Sequence, residues 1–243
     1  MIKNQYRFFI SSDNFQGDKV LITDKNLIHQ IAKVLRLKIG DQIILLDNSG
    51  FEYLVSLEKF SPQIEGHVLE KKKNQNEPGK KIILCQSLLK SDKFEQVLKF
   101  CTNLGVVSFV PFISENSIVK EINPHKLDRY QKIIEESAEQ SGRAILPELS
   151  PLITFKELLK LLKKKEGLKL IGWEQEKEKK LTDFWEQIEK TKTTHLLIGP
   201  EGGFSEEEVA LAQQSGCLPF SLGKLILRSE IAGLVSSALI INL

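Results

Sequence analysis

An apolar run, Leu196-Leu197-Ile198, feeds directly into the loop Gly199-Pro200-Glu201-Gly202-Gly203-Phe204, and a strongly marked helix start follows. Ser205 is the N-cap candidate, Glu208 completes a capping box, and Phe204 with Val209 hold the positions of a hydrophobic staple. Strand, glycine turn and helix, in that order, is how an α/β protein carries a ligand outside the carboxyl end of a strand. Leu222 to Glu230 reads as a repeat of the arrangement: a short strand, a loop with one guanidinium (Arg228) and one carboxylate (Glu230), then the apolar helix Ala232 to Ile241. A helix apolar nearly all round must be buried, in the core or against a second subunit.

The first loop is a poor phosphate cradle. Glu206, Glu207 and Glu208 fill the first turn of its helix, where they suit the helix dipole and repel a phosphate. Gly199 to Gly203 has neither the GxGxxG spacing nor a Walker lysine, and Gly216 to Lys224 is too long and lacks the Ser or Thr after its lysine. There is no G-x-S-x-G. Taken alone, the loop is equally a plain connector, and Arg228 with Glu230 is equally an ion pair that seals the entry of an apolar helix.

The rest of the chain supplies the frame. Up to about Lys73 it reads as short strands: Tyr6 to Ile10, Lys19 to Ile22, a hairpin from Asp41 through Asn48-Ser49-Gly50 to Leu57, and Ile64 to Leu69. Phe51, Tyr53, Val55 and Leu57 alternate with Glu52, Leu54, Ser56 and Glu58, giving one buried and one mostly polar face. One helix, Leu27 to Leu35, leaves His29, Lys33 and Arg36 off its apolar face. This predicts a small β-barrel with one helix, residues 1–73. Lys71 to Lys80, without an apolar residue and containing Pro78-Gly79, is the expected linker. Beyond it, strands at 82–84, 106–112, 168–173 and 196–198 alternate with helices at 94–102, 125–140, 155–162 and 183–189, so residues 74–243 predict a mostly parallel sheet covered on both faces.

Lysine plus arginine exceed aspartate plus glutamate by only two, 34 against 32, so net charge identifies no partner. Lys71 to Lys99 is locally basic, with eight lysines against Glu77, Asp92 and Glu95, which suits a polyanion or a solvated linker. Cys85, Cys101 and Cys217 lie far apart in apolar surroundings and predict buried small hydrophobes, with no metal site. Met1 to Gln5 shows no signal core and no run is long enough to span a membrane, so a cytoplasmic location is expected.

Leu197 to Ser205, together with Leu222-Gly223 and Ile226-Leu227-Arg228-Ser229-Glu230-Ile231-Ala232, resembles the bacterial 16S rRNA (uracil-N3) methyltransferase family. His29 with Val34-Leu35-Arg36, Gly40-Asp41, Leu104-Gly105-Val106 and Glu139-Gln140-Ser141-Gly142-Arg143 match as well, so the resemblance covers nearly the whole chain. It implies an N-terminal PUA-like RNA-binding barrel, a C-terminal SPOUT domain with a trefoil knot, S-adenosylmethionine as methyl donor, 16S rRNA of the small ribosomal subunit as partner, and a homodimer with the site near its interface. Leu225 stands where the family usually has arginine, Ile231 where it has threonine, and Asn103 where it has glutamate.

Under this resemblance Leu197, Gly199, Glu201, Gly203, Leu222, Gly223 and Leu227 are the donor-binding candidates, since glycines let backbone amides and carbonyls approach a ligand. Uracil N3 carries an imide proton, so methyl transfer requires its removal and stabilisation of the charge left on the flanking carbonyl oxygens. Arg228 suits the second task and Glu230 is the candidate base or orienter. His29, Lys33, Arg36, Lys90 and Lys93 are candidate RNA contacts, with His29 alternatively a hydrogen bonder at its helix start. Two other functions fit the same residues: a related methylation at another RNA base or a ribose oxygen, and a non-catalytic RNA-binding role in ribosome assembly, suggested by Leu225 and Ile231.

Overall fold

The hydrophobic period changes near Pro78, and the chain divides there. The computed structural model describes residues 6–242, and the segment Met1 to Gln5, expected to carry no signal core, lies outside them. One compact unit runs up to Glu77 and includes Ala138–Leu146, and the other comprises Pro78–Ser137 and Pro147 onward.

The first unit is a six-stranded sheet built from β1 (Arg7–Phe9), β2 (Phe15–Gln16), β3 (Lys19–Ile22), β4 (Gln42–Leu46), β5 (Phe51–Lys59) and β6 (Ile64–Lys73), in the order β1-β4-β5-β6-β3-β2. The β4–β5 hairpin turns where Asn48 and Gly50 take positive φ, as an Asn-Ser-Gly turn should. Alternation puts Ile43, Leu45, Val55 and Leu57 on the inner face, fully buried with Ile31 and Ile64. Ile31 follows helix α1 (Lys25–His29) in a single π-turn, Gln30–Val34.

Three expectations change in this unit. The proposed linker begins too early: Lys71 to Lys73 are the end of β6, paired opposite Tyr53, Glu52 and Phe51. The Lys71 ammonium lies 4.7 Å from the Phe51 ring centre and 4.9 Å from that of Tyr53, a cation–π placement. His29 does not start its helix. Asp24 does, accepting from the Leu27 amide at 2.7 Å, and His29 sits exposed in the last turn. The face of β5 expected to be polar holds a buried Glu52, ion-paired with Arg7 and hydrogen-bonded by Asn74. That face is covered because residues 138–146 return to this unit, with Ala144 packed on Ile44 and Leu46. The Glu139-to-Arg143 motif anchors the return: Glu139 accepts from the Phe9 amide at 3.0 Å, the Gly142 carbonyl accepts from Asn74 and Asn76, both at 2.9 Å, and Arg143 pairs with Glu77 at 2.9 Å.

In the second unit every strand pairing is parallel. The strands β7 (Lys81–Ser87), β8 (Ser108–Ile113), β9 (Glu148–Leu149), β10 (Ile153–Thr154), β11 (Leu168–Gly172), β12 (Thr193–Ile198) and β13 (Leu218–Phe220) lie in the order β10-β8-β7-β12-β11-β13, with β9 also on β8. Helices α2 (Lys93–Leu104), α3 (Pro124–Ser141), α4 (Phe155–Leu162), α5 (Trp185–Lys190), α6 (Glu206–Gln214) and α7 (Ser229–Ile241) make the crossovers and the C-terminus. Two apolar clusters, one containing Leu84, Leu170 and Leu196 and the other Cys85, Ile171 and Leu197, lie on the alternating residues of β7, β11 and β12. Such a sheet is apolar on both faces. Burial pushes the thiols of Cys101 and Cys217 up to about 12 and about 11 and raises Cys85 as well, so all three act as packing residues.

The register sets up the site. Gly172, Ile198 and Phe220 are side-by-side partners at the carboxyl ends of β11, β12 and β13, so the loops that follow leave the sheet together. The strand of the second half-site is Leu218–Phe220, earlier than expected. Leu225 and Ile226 instead lie in the loop, 82% and 80% exposed. Within the single chain, helix α7 turns Ser229, Gly233, Ser236, Ser237 and Ile240 inward, while Ile231 and Leu239 stay exposed. Its small residues let it lie close on α2, β7 and β12. No helix among the described residues is long and apolar enough to cross a membrane, and no cluster of His, Cys, Asp and Glu among them could hold a metal ion.

Candidate active site

The loops after β11, β12 and β13 enclose a cavity of about 680 Å³, within the range of small-molecule sites. Its walls are Trp173 and Glu174 after β11, Gly199 to Phe204 after β12, and Ser221 to Ser229 after β13, closed by Lys93 and Ala232.

The glycine loop is held from several sides. Ser205 caps α6 as its sequence predicts: the Glu208 amide donates to Ser205 Oγ at 3.3 Å and the Ser205 amide donates back to Glu208 Oε2 at 3.2 Å. Phe204 and Val209 are both buried beside it. Within the loop the Gly203 amide donates to the Pro200 carbonyl at 3.1 Å, and Asn116 Nδ2 donates to the Gly202 and Gly203 carbonyls, both at 3.2 Å. Gly203 has φ of 69°, and a β-carbon there would stand 2.2 Å from Glu174 Oε1. Gly223, with φ of 120°, makes the corresponding reversal in the second loop. Glu201 Oε1 accepts from the Lys90 amide at 3.1 Å and from Lys93 Nζ at 3.2 Å. Burial alone would raise the Glu201 carboxyl; these hydrogen bonds, its own amide and the Lys93 charge outweigh it and hold the group below the ordinary carboxylate range.

The two loops are joined by residues that sequence did not single out. Gln86, fully buried on β7, donates to Ser229 Oγ at 3.0 Å, and Ser229 Oγ donates to the Gly199 carbonyl. The start of α7 is thereby fixed to the end of β12. Arg228, just before it, lines the cavity and is exposed, and among the described residues no carboxylate comes within ion-pair distance of it. The sealing pair between Arg228 and Glu230 is therefore not formed. The nearest cation to Glu230 is Lys93, with Nζ 4.0 Å from Oε2, and that oxygen is buried without a hydrogen bond.

The walls suit a molecule with a cationic centre and polar arms. Glu174 and Glu201 provide negative charge beside the basic Lys93, Lys224 and Arg228, and loop backbone lines two sides. Of the expected donor-binding residues, Gly199, Glu201, Gly203, Leu222, Gly223 and Leu227 line the cavity. Leu197 does not: the strand alternation turns it into the core with Cys85 and Ile171.

The RNA methyltransferase domain family matches residues 75–241, and the RNA methyltransferase PUA domain family matches residues 22–63. The chain is 32% identical to the ribosomal RNA small subunit methyltransferase E of Synechocystis sp., over 96% of its own length and 76% of that protein's. The chain belongs to the ribosomal RNA small subunit methyltransferase E family. A second member of the methyltransferase E family, from Mesomycoplasma hyopneumoniae, is 34% identical over 94% of this chain and 96% of its own. The crystal structure of the Neisseria gonorrhoeae enzyme bound to S-adenosyl methionine matches with a TM-score of 0.87 at 30% identity, covering 97% of this chain and 96% of that one. The chain is thus an RNA methyltransferase with a PUA-like N-terminal domain and an α/β methyltransferase domain.

The expected RNA contacts separate into two groups. His29, Lys33 and Arg36 are exposed on the first unit, with Arg36 at a φ of 54° following Leu35, the C-cap of the π-turn. Lys90 is exposed on the second unit, next to Ser91, which takes a φ of 55°. Lys93 differs from these, because in the cavity wall its ammonium is engaged with Glu201 and lies 4.0 Å from Glu230, which is outside that wall. The residues missed by sequence carried weak signals: Gln86 is a lone amide in an apolar strand, and Trp173-Glu174 follow β11 as Gly199 follows β12.

Proposed function

We propose that this enzyme transfers a methyl group from S-adenosylmethionine to N3 of a specific uridine in the 16S rRNA of the small ribosomal subunit, in the cytoplasm. The observation that supports this most is Arg228, a guanidinium in the cavity wall with no carboxylate partner among the described residues. When bound, S-adenosylmethionine supplies an activated methyl on a sulfonium. Gly199, Glu201, Gly203, Leu222, Gly223 and Leu227 would hold it by backbone contact and apolar packing, with the Glu174 and Glu201 carboxylates among the walls to face the cationic sulfur. Arg228 donates to the uracil oxygen that gains charge as N3 loses its proton, and Glu230 accepts or orients that proton. The target base must leave its stack to reach such a cavity. His29, Lys33, Arg36 and Lys90 then position the RNA through its phosphates.

Incubation with labelled donor and small subunits lacking the modification, followed by nucleoside analysis, is expected to place the label in 3-methyluridine; label in another nucleoside overturns the assignment. In the same assay, replacing Lys33 and Arg36 together by alanine is expected to raise KM for the RNA and flatten its salt dependence without lowering kcat.

We also propose that the enzyme works as a homodimer. Ile231 and Leu239 on α7 and Leu225 and Ile226 in the adjoining loop expose large apolar side chains that a second copy would cover. Light scattering is expected to give twice the chain mass, and Leu239→Asp to give the single mass. A monomeric wild type at micromolar concentration rejects the proposal.

A further inference from the structure

We propose that Lys93 is a positioning residue of the methyl transfer, one that ties the donor loop to Glu230. This rests on the assignment of Glu230 to the proton-transfer step. Sequence alone makes Lys93 one more basic residue in a lysine-rich stretch, suited to a phosphate. The structure gives it other partners. Its ammonium is 3.2 Å from Glu201 Oε1 and 4.0 Å from Glu230 Oε2, and its side chain is only 29% exposed. It is itself part of the cavity wall, which Glu230 is not.

Local backbone places it there. Ser91 takes a φ of 55°, which a side-chain-bearing residue adopts only at a cost, and the turn brings the Lys90 amide and the Lys93 ammonium to the same oxygen of Glu201. Glu201 belongs to the glycine loop and Glu230 to the first turn of α7, so one cation serves carboxylates from both halves of the site. Two like charges on either side of one ammonium repel, and the cation between them relieves that repulsion. Glu201 has two backbone amides besides Lys93, whereas Glu230 Oε2 has no hydrogen bond. Loss of Lys93 therefore leaves Glu201 largely in place and Glu230 without its nearest countercharge. The consequence falls on the chemical step.

The test is a double-mutant cycle on the full-length enzyme, with S-adenosylmethionine Kd from calorimetry and kcat and KM from single-nucleoside analysis of methylated small subunits. Lys93→Met is expected to lower kcat about 10- to 100-fold, the scale of a small misplacement of a reacting group, with Tm, donor Kd and RNA KM nearly unchanged. Lys93→Arg is expected to restore most of the rate. In the Glu230→Gln background, Lys93→Met is expected to cost about two- to threefold at most, because its partner charge is already gone.

Independent, multiplying losses from the two substitutions overturn the proposal. So does a raised RNA KM with intact kcat, which makes Lys93 a phosphate contact, or a raised donor Kd with intact kcat at saturating donor. Equal loss of Tm and rate in the Met and Arg variants reduces Lys93 to a folding role and also overturns it. Failure of the uridine assignment is seen separately, in the nucleoside that the wild type labels, and the cycle reads the Lys93 coupling on whichever product forms.

Discussion

Arg228→Ala is expected to lower kcat by about 10²–10³-fold, the cost of removing one donor from a developing oxyanion, while S-adenosylmethionine Kd stays nearly unchanged. The separation follows from what the residue holds. Its carbonyl accepts from the Ile231 and Ala232 amides, contacts that alanine keeps, and its side chain makes no cap to α7. The donor loop is fixed by Asn116, Gln86 and Ser229, none of which touches the guanidinium through a hydrogen bond. Only a wall charge with no carboxylate partner among the described residues is lost. Arg228→Lys distinguishes charge from shape: a planar fork that meets an oxygen through two donors is not replaced by an ammonium, so recovery is expected to be partial. Wild-type turnover in Arg228→Ala, with unchanged product, would remove Arg228 from the chemistry.

Local signals carried most of the frame, and contacts distant in sequence carried what was lost. The α6 start was legible because Ser205, Glu208, Phe204 and Val209 all lie within one turn of it, and each interaction formed. The β4–β5 hairpin and helix α4 were legible for the same reason, through turn residues and a clean apolar period. The short strand expected within Leu222 to Glu230 lies earlier in the chain, because the apolar Leu225-Ile226 has the composition of a buried strand and nothing within the segment states that its surface faces outward. The burial of Glu52 is not legible locally because it is caused by residues almost ninety positions later, Ala138 to Leu146, whose return to the first unit leaves no local trace. In the site, glycines announced the loops. Lys93 was assigned by its charge alone, and its partners Glu201 and Glu230, more than a hundred residues away, change what that charge does.

Glu230→Gln carries the other large effect, a fall in kcat of about 10²–10⁴-fold if the carboxylate takes the N3 proton. The side chain is 10% exposed, one oxygen has no hydrogen bond, and its nearest cation stands 4.0 Å away. A stable core would pair such a carboxylate or replace it, since an unsatisfied buried charge costs more than a neutral amide of the same shape. Glutamine is nearly isosteric and leaves Lys93 paired with Glu201, so Tm is expected to hold or rise while turnover collapses. That opposition separates a functional carboxylate from a structural one. If Glu230 served only to anchor α7, Gln would cost stability and rate together; if it orients rather than accepts the proton, the loss in kcat would stop near the lower end, and Glu230→Asp would recover little because the shorter arm moves the oxygen away from Lys93. Stopped-flow single-turnover rates at saturating donor, measured beside thermal unfolding of the same preparations, distinguish the three outcomes.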